Sequence, residues 1–194
     1  VPRSPIAELV ENQFEPWIDP DQVSSVLDLC TGSGCIGIAC AYAFPGAQVD
    51  LVDISSDALE VAQVNIDRHD ASSLVKTVKS NGFRELKGER YDIIVSNPPY
   101  ISCNEAAEMS RETKFEPQIA LFAEEQGLLF YKKYSHSLAH ILKPGGFIAL
   151  ELSPFIAAAV KNIFTDNTQY WQNVSIVNDY GGHARVLIAY KPAE

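Results

Sequence analysis

The sequence predicts an α/β fold built on a mostly parallel sheet of seven strands. Short apolar runs alternate with helical segments through most of the chain, a pattern that is typical of strands joined by helical crossovers. The last two apolar runs are separated by a turn at Gly181-Gly182, which indicates an antiparallel edge. No internal repeat or low-complexity tract interrupts this alternation.

The first half of the chain is predicted to alternate strands with helices. The strands are short apolar runs at Ser25–Leu29, Gln48–Val52, Leu74–Lys79 and Tyr91–Ser96. Cys35–Phe44 contains mostly small and apolar residues and is predicted as a buried helix. A second helix is predicted at Ala58–Arg68, with Ser56 and Asp57 as its cap and Leu59, Ala62 and Ile66 on one face.

The second half begins with a polar stretch from Ser102 to Glu124, and loops of this length are usually functional or disordered. A helix, a turn, a strand, another helix and the closing pair of strands are predicted after it. Their bounds are Gly127–Leu142, Lys143–Gly146, Phe147–Leu152, Phe155–Phe164, Val174–Val177 and Arg185–Tyr190.

Length and composition predict one globular domain. The 194 residues suffice for a full hydrophobic core, and 46% hydrophobic with 21% charged residues is an ordinary globular balance. Residues 23–194 are expected to form this domain, and residues 1–22 a lead-in segment that follows a missing N-terminal helical domain. No apolar run reaches membrane-spanning length and no signal-peptide pattern is present, so we expect a soluble protein of the cytoplasm.

The net charge and the spacing of Cys and His residues indicate which kinds of ligand the protein is expected to bind. The formal net charge of −10 disfavours binding to a phosphate backbone and favours neutral or basic partners. None of the four cysteines forms a C-x-x-C pair, so they are interpreted as reduced thiols, and Cys35 and Cys40 as small buried hydrophobes. His136 and His140 lack an evident further ligand, so no metal site is predicted.

The most informative motif is Asn97-Pro98-Pro99-Tyr100, which follows the strand Tyr91–Ser96. Because neither proline can continue a central strand, the strand should end at Ser96 and present Asn97 at its carboxyl end, where open α/β sheets bind ligands. A carboxamide beside rigid prolines and an aromatic ring suits a flat, amide-like nitrogen that must be held still. The alternative is a stiff turn with Tyr100 in the core.

The loop after the first strand is a second candidate site. Gly32-x-Gly34-x-x-Gly37 matches the dinucleotide fingerprint, but Asp28 before the turn would repel a pyrophosphate and attract a cation. Asp53 ends the second strand in a position that suits ribose hydroxyls, with an N-cap of the next helix as the alternative. Two carboxylates and a glycine turn without Lys or Arg indicate a nucleoside that carries positive charge, and S-adenosylmethionine fits this description.

These residues resemble class I S-adenosylmethionine methyltransferases, which have a Rossmann-like fold, and within them the HemK-like protein-(glutamine-N5) methyltransferases. Nearly the whole chain carries the resemblance, at Pro2–Pro5, Val26–Gly34, Val52-Asp53, Asn97–Ile101, Phe115–Pro117, Ala120-Leu121, Lys143–Gly146 and Leu150-Glu151. Val1–Ile6 and Cys30–Cys35 look like the branch that acts on ribosomal protein L three. Lys114–Pro117 and Asp179–Gly182 look more like the branch that acts on class-1 peptide-chain release factors.

The resemblance implies methyl transfer to the side-chain amide nitrogen of a glutamine in a translation protein. The Asn97 side-chain oxygen and the Pro98 carbonyl would each accept one amide hydrogen, and Tyr100 would pack against the amide plane. Asn97, Pro98 and Tyr100 are thus the predicted catalytic residues, and the predicted substrate site adds Pro99, Glu116 and Pro117. The predicted cofactor site comprises Asp28, Cys30, Thr31, Gly32, Gly34, Asp53, Ile54, Asn81, Gly82, Phe83 and Asn97.

Two positions depart from the family pattern: Cys30 stands where glycine is common, and Asn81 stands where aspartate is usual. Asn81 can still accept a hydrogen bond from an adenine amino group, but without charge. Three alternatives stay open: an amino methyltransferase acting on adenine in DNA or RNA, a non-catalytic module that binds the cofactor, and a nicotinamide dehydrogenase. The acidic charge counts against the first, the intact Asn97–Tyr100 motif against the second, and Asp28 against the third.

Overall fold

The computed structural model describes residues 4–98 and 127–193. The strands are β1 (Ser25–Leu29), β2 (Gln48–Asp53), β3 (Val75–Lys79), β4 (Tyr91–Ser96), β5 (Leu142–Glu151), β6 (Gln172–Asn178) and β7 (Ala184–Tyr190). The helices are α1 (Pro5–Glu11), α2 (Cys35–Ala43), α3 (Ser56–Arg68), α4 (residues 127–134) and α5 (Ala157–Thr165). Among residues 4–98 and 127–193, no helix has the length and apolar character needed to cross a membrane.

All seven strands join one sheet in the order β3-β2-β1-β4-β5-β7-β6. The five strands from β3 to β5 in this order are parallel neighbours. Strand β7 runs antiparallel to both β5 and β6, so the closing pair forms the antiparallel end of the sheet, with β6 outermost. The predicted mostly parallel sheet of seven strands is therefore confirmed.

Each face of the sheet carries its own apolar core. On one face, α1, α2 and α3 pack over side chains that include Val26 and Phe147. On the other face, α4 and α5 pack over side chains that include Leu27 and Ile148. Since successive side chains of a strand point to opposite faces, neighbours such as Val26 and Leu27 belong to different cores. This arrangement explains why the central strands are apolar throughout instead of alternating with polar residues.

Helix α3 shows how closely a local pattern can locate an element. Leu59, Ala62 and Ile66 are buried, as their spacing predicts. The predicted cap at Ser56 and Asp57 is wrong by one residue, because Ser55 is the N-cap and its Oγ accepts a hydrogen bond of 3.2 Å from the Ala58 amide.

The predicted helix over Gly127–Leu142 is wrong in its second half. The α-helical residues are 127–134, a tighter 3₁₀ turn spans Ser137–Ile141, and β5 already begins at Leu142. The Trp171 indole N–H donates a hydrogen bond of 2.5 Å to the Ser135 carbonyl. This carbonyl therefore bonds to a distant side chain and not to the backbone amide of a continuing helix. The predicted turn at Lys143–Gly146 lies inside β5, where the pairing register shifts opposite β4.

Residues 4–22 pack against the sheet. Ile6, Val10 and Phe14 are buried in the same core as Phe147, and the Phe14 and Phe147 rings meet edge to face with centroids 5.3 Å apart. Residues on both sides of the predicted boundary at residue 22 therefore share one core, and the assignment of residues 23–194 as the catalytic domain stays a prediction.

Asp92 joins three segments at the edge of the sheet where the parallel strands begin. Its Oδ2 accepts hydrogen bonds from the backbone amides of Ser24 at 2.9 Å and Ser25 at 3.0 Å, and from Lys143 Nζ at 3.0 Å. Burial by itself raises the pKa of Asp92, but these donors outweigh burial and hold the pKa of the carboxyl below its usual range. One carboxylate thus ties the start of β1 to β4 and to the start of β5.

Replacing Asp92 with Asn should lower the free energy of unfolding by about 1–3 kcal/mol near neutral pH, because charge-assisted hydrogen bonds are lost. Since folding depresses the pKa of Asp92, its stabilisation is present above the unfolded-state pKa of about 3.9 and is lost as the pH falls through the folded-state value. Urea unfolding at about pH 7 and about pH 3 measures the difference. Asp21→Asn, which neutralises an exposed carboxylate, is the control. A destabilisation that is equal at both pH values would contradict the assignment.

Candidate functional site

The carboxyl ends of β1, β2 and β4 meet at one edge of the sheet, and a cavity of about 620 Å³ opens there. Cavities that bind small molecules commonly measure about 300–1,000 Å³. The walls come from the ends of β1 to β4 and from α4. They consist of Leu29, Cys30, Val52, Asp53, Ile54, Ser80, Asn81, Gly82, Asn97, Leu129, Phe130, Lys133 and Tyr134.

The structure brings together most of the side chains predicted to bind a cofactor. The residues that line the cavity are Cys30, Asp53, Ile54, Asn81, Gly82 and Asn97. The remaining predicted cofactor residues, which are not on the cavity wall, are Asp28, Thr31, Gly32, Gly34 and Phe83. The first four of these form and brace the loop between β1 and α2. Their role in ligand binding stays a prediction.

Asn97 stands where the sequence predicts it. Strand β4 ends at Ser96, and the Asn97 side chain lies exposed on the cavity wall, while Pro98 is buried behind it. The Ser96 hydroxyl donates to the Leu29 carbonyl at 2.5 Å, which fixes the end of β4 against the end of β1. The other predicted substrate residues, which lie outside the described residues, are Pro99, Tyr100, Glu116 and Pro117.

Asp53 lies at the centre of the cavity edge. Its Oδ2 accepts a hydrogen bond of 2.9 Å from the Gly32 amide, and its Oδ1 accepts one of 3.0 Å from the Ser55 amide. The alternative reading of Asp53 as the N-cap of α3 is wrong, because Ser55 caps that helix. Each carboxylate oxygen can accept a further hydrogen bond, so the half-buried carboxylate can receive two ligand hydroxyls from the cavity side.

Asp28 braces the same loop from beneath. It is fully buried, and its Oδ2 accepts hydrogen bonds from the Thr31 hydroxyl at 2.7 Å and the Gly37 amide at 2.9 Å. Its Oδ1 has no hydrogen-bond partner within residues 4–98 and 127–193. Burial raises the pKa of Asp28 to about 7, although the bonds from Thr31 and Gly37 act in the opposite direction. Any attraction of Asp28 for a cationic ligand would therefore act through the loop, from below the cavity wall.

Cys30 combines an unusual backbone conformation with a place on the cavity wall. Its φ is +60°, in the left-handed region where glycine is favoured. Burial, with help from the Asp53 and Asp28 charges, raises the pKa of the Cys30 thiol to about 11. The thiol therefore stays protonated at neutral pH. Of the two cysteines expected to be buried, Cys40 is buried, whereas Cys35 is exposed at the start of α2.

Helix α4 supplies a wall of the cavity that the sequence analysis missed. Leu129, Phe130, Lys133 and Tyr134 line the cavity from this helix. Their spacing of one, four and five residues places them on one face of a helix. The sequence analysis treated this helix only as scaffold, and no local pattern indicates which face of a helix meets a ligand.

Aromatic packing fixes α4 to the loop after β3. The Tyr134 ring lies 5.6 Å from the Phe83 ring and 4.8 Å from the Phe130 ring, measured between centroids. Gly82 has a φ of +64°, and a Cβ atom there would lie 2.6 Å from the Tyr134 hydroxyl. Only glycine therefore allows this close approach without moving the cavity wall.

Two large apolar side chains stay unusually exposed inside the cavity. Ile54 is 63% exposed and Leu129 is 54% exposed, and both line the cavity. Exposed apolar side chains on a concave surface indicate contact with an apolar part of a ligand. A flat ring would cover these two side chains.

The histidine pair does not form a metal centre in the structure. His136 precedes the 3₁₀ turn, and its Nε2 lies 2.8 Å from Asn167 Oδ1. His136 and His140 both meet the Tyr170 ring edge to face. Within residues 4–98 and 127–193, no three His, Cys, Asp or Glu side chains are grouped closely enough to hold a metal ion.

Comparison with known sequences identifies the family to which the chain belongs. The profile of the family described as "Methyltransferase small domain" matches residues 13–122. The ribosomal protein uL3 glutamine methyltransferase of Francisella tularensis is 48% identical over 153 residues, which cover 78% of this chain and 49% of that protein. The chain thus spans about half the length of this curated relative.

Solved structures give the same fold. The release factor-specific protein-(glutamine-N5) methyltransferase from Alicyclobacillus acidocaldarius superposes with a TM-score of 0.60 at 26% identity, covering 99% of this chain and 94% of that one. The N-terminal domain of human METTL16, solved in complex with SAH, superposes with a TM-score of 0.65 at 18% identity, covering 98% and 72% of the two chains. At 18% identity, the similarity to METTL16 shows only that the two chains share the Rossmann-like methyltransferase fold.

Replacing Asp28 with Asn should change how stability depends on pH. Because folding raises the pKa of Asp28 from 3.8 to about 7, the folded state keeps a proton that the unfolded state releases between these values. Stability should therefore fall as the pH rises through this window, by up to about 1.4 kcal/mol per pH unit, and the variant should lack this contribution.

Urea unfolding of both proteins at about pH 5, 6, 7 and 8 measures the effect, since the free-energy difference between them should shift in favour of the variant as the pH rises. Asp57→Asn, which neutralises an exposed carboxylate on α3, is the control. Parallel pH profiles of stability for wild type and Asp28→Asn would show that Asp28 has the same pKa in the folded and the unfolded state, and would contradict this prediction.

Proposed function

This chain belongs to the methyltransferase small domain family, and from that premise we propose that it transfers a methyl group from S-adenosylmethionine to the side-chain amide nitrogen of a glutamine in ribosomal protein uL3. The observation that carries the proposal is the placement of Asn97, whose exposed carboxamide stands on the wall of the same cavity as the Asp53 carboxylate. The 48% identity to a ribosomal protein uL3 glutamine methyltransferase favours uL3 as the substrate.

The cavity fits the proposed cofactor. The two acceptor oxygens of Asp53 suit a ribose diol, and the exposed side chains of Ile54 and Leu129 suit an adenine ring. Asn81 lies on the same wall and offers a carbonyl oxygen to an adenine amino group. When bound, S-adenosylmethionine supplies an electrophilic methyl group on a sulfonium. The Cys30 thiol is protonated at neutral pH, so this residue on the cavity wall is a poor nucleophile toward such a methyl group.

Asn97 and Pro98 act in this proposal by positioning the substrate. An amide nitrogen is a poor nucleophile because its lone pair is delocalised. The Asn97 side-chain oxygen and the Pro98 carbonyl would each accept one amide hydrogen, which orients the nitrogen and favours its change toward tetrahedral geometry. The Ser96–Leu29 hydrogen bond and the buried proline ring hold both acceptors still. The surplus proton can leave to water, so no dedicated base is required.

Two other substrates compete with uL3. A peptide-chain release factor presents the same glutamine amide, and the release factor-specific relative shares 26% identity with this chain. Adenine in a nucleic acid also presents a planar nitrogen with two hydrogens, but a net charge of −10 repels a polyanion. A substrate in the translation machinery would place the activity in the cytoplasm.

The test offers uL3, a class-1 release factor and an adenine-containing RNA separately, with radiolabelled S-adenosylmethionine. We expect label on a glutamine of uL3, located by mass spectrometry. Label only in the release factor would move the assignment to the other branch of the family. Label only in RNA would overturn the protein-substrate proposal.

Replacing Asp53 with Ala should weaken the binding of S-adenosylhomocysteine at least about tenfold, because hydrogen bonds to a charged acceptor contribute about 1.5–3 kcal/mol each. Asp53→Asn keeps one acceptor oxygen and should lose less affinity. Isothermal titration calorimetry measures both, with circular dichroism to verify folding, since the carboxylate also accepts from Gly32 and Ser55. Unchanged affinity in Asp53→Ala would remove this residue from the site.

Replacing Asn97 with Ala should leave the fold and cofactor affinity largely intact but slow methyl transfer about a hundredfold or more, because one preorganised partner of the reacting amide is lost. Single-turnover transfer to uL3 at saturating cofactor measures the rate. Asn97→Asp keeps the shape and an acceptor but adds a charge, so its rate reports on electrostatics. Near wild-type turnover by a folded Asn97→Ala protein would refute the proposed positioning.

A further inference from the structure

A groove of about 200 Å³ lies between α1 and the turn that joins β6 to β7. Building on the proposed function, we propose that this groove receives a basic side chain, lysine or arginine, of the substrate protein beside the segment that carries the glutamine. Its walls consist of Pro5, Glu8, Leu9, Asn12, Val177, Asn178, Asp179, Tyr180 and Val186.

The groove opens at the same edge of the sheet as the Asn97 cavity. Ser96 pairs with Leu150, Leu150 with Leu187, and Leu187 with Ile176, so these residues form one row across β4, β5, β7 and β6. Asn97 lies one position beyond this row on β4, and Val177 and Val186 lie one position beyond it in the groove.

The distance along this edge from the Asn97 cavity to the groove can be estimated for a peptide whose glutamine lies beside Asn97. Three strand spacings of about 4.8 Å separate β4 from β6, which corresponds to about 14 Å along this edge. An extended chain covers this distance in about four residues. The groove lies on the α1 face of the sheet and the cavity on the α4 face, so a segment that occupies both places also crosses this edge of the sheet.

The charges of the groove select for a cation. Glu8 and Asp179 are the charged side chains on its wall, and both are acidic. Hydrogen bonds from the backbone amides of His183 and Gly181 hold the pKa of Asp179 below its usual range, so it stays ionised at neutral pH. Behind the wall, Arg185 pairs with Glu151 at 3.3 Å and with Asp179 at 3.6 Å. One guanidinium thus pairs with two carboxylates, Glu8 adds a third negative charge to the wall, and His183 adds positive charge only when protonated.

The remaining groove residues suit the rest of a long basic side chain. Leu9 and Val177 are half-buried and offer apolar surface, which the methylene stem of Lys or Arg can cover. Tyr180 is 92% exposed at the turn, and an exposed aromatic ring next to carboxylates is a favourable neighbour for a cation. The combination of apolar surface, acidic wall and free ring matches a basic side chain better than a neutral one.

The groove is rigidly mounted. The Ser4 hydroxyl donates to Glu151 Oε2 at 2.6 Å, and Arg185 donates to Glu151 Oε1 at 3.3 Å. The Glu151 side chain is only 7% exposed, and it thereby joins the start of α1 to the ends of β5 and β7. Both walls of the groove therefore keep a fixed position relative to the Asn97 cavity.

The test measures steady-state methylation of uL3 by the wild-type chain and by Tyr180→Ala and Glu8→Gln. Both variants should raise the KM for uL3 about fivefold or more, with kcat within about twofold and unchanged affinity for S-adenosylhomocysteine. The wild-type KM should also rise between about 0.05 M and about 0.5 M salt, and less steeply in Glu8→Gln.

Two controls separate docking from general effects. Tyr180→Phe retains the aromatic ring and should keep the wild-type KM. Glu60→Gln neutralises an exposed carboxylate on α3, outside the groove, and should also behave as wild type. A wild-type KM in both Tyr180→Ala and Glu8→Gln, or an equal increase in Glu60→Gln, would overturn the proposal.

Binding without turnover distinguishes this proposal from the proposed function. If the wild-type chain binds uL3 in calorimetry but transfers no label, weaker binding by Tyr180→Ala and Glu8→Gln supports the groove while the activity fails. If the wild-type chain methylates uL3 and both variants bind it normally, the groove fails while the activity stands. An absence of both binding and transfer with uL3 overturns both proposals.

Discussion

The register of the parallel strands β1, β2 and β4 is the constraint on which the whole carboxyl edge depends. Leu29 pairs with Val52 on one side and with Ser96 on the other, so these three residues lie level across the sheet. The next residue of each strand then reaches the same cavity, and these residues are Cys30, Asp53 and Asn97. A slip of one residue in any strand would turn its side chain to the other face of the sheet. The apolar cores on both faces oppose such a slip, because it would move every side chain of that strand into the opposite core, where its neighbours are packed around a different set of side chains.

Two carboxyl groups at this edge take different roles because their surroundings differ. Asp28 is buried beneath the loop, and among the described residues one of its oxygens has no hydrogen-bond partner. Burial raises the pKa of Asp28, and its contribution is to hold Thr31 and Gly37 in place. Asp53 is half-buried, accepts one backbone amide on each oxygen and still faces the cavity. The loop is thus fixed from both sides, and only the outer carboxylate is available to a ligand.

Local sequence patterns were sufficient to predict the structure where one physical rule dominates. Prolines end β4 at Ser96, and helical spacing identifies the buried face of α3, so the position of Asn97 and the core residues of that helix could be predicted. The cavity wall on α4 could not, because which face of a helix meets a ligand depends on tertiary packing. The same limit explains the 3₁₀ turn at Ser137–Ile141, where a hydrogen bond from the distant Trp171 decides the local geometry.

Under the proposed function, the charge of this edge serves both ligands at once. A sulfonium and a basic protein are each attracted by negative charge, and the cavity wall contains Asp53 while the neighbouring groove contains Glu8 and Asp179. Lys133 is the one basic side chain on the cavity wall within the described residues, so the negative charge is only partly offset. Loss of the methyl group converts a sulfonium to a neutral thioether, which removes the part of the attraction that the sulfonium charge contributes, whereas the ribose hydroxyls can still donate to Asp53. The carboxylates of this edge therefore attract the charged cofactor more strongly than the spent one.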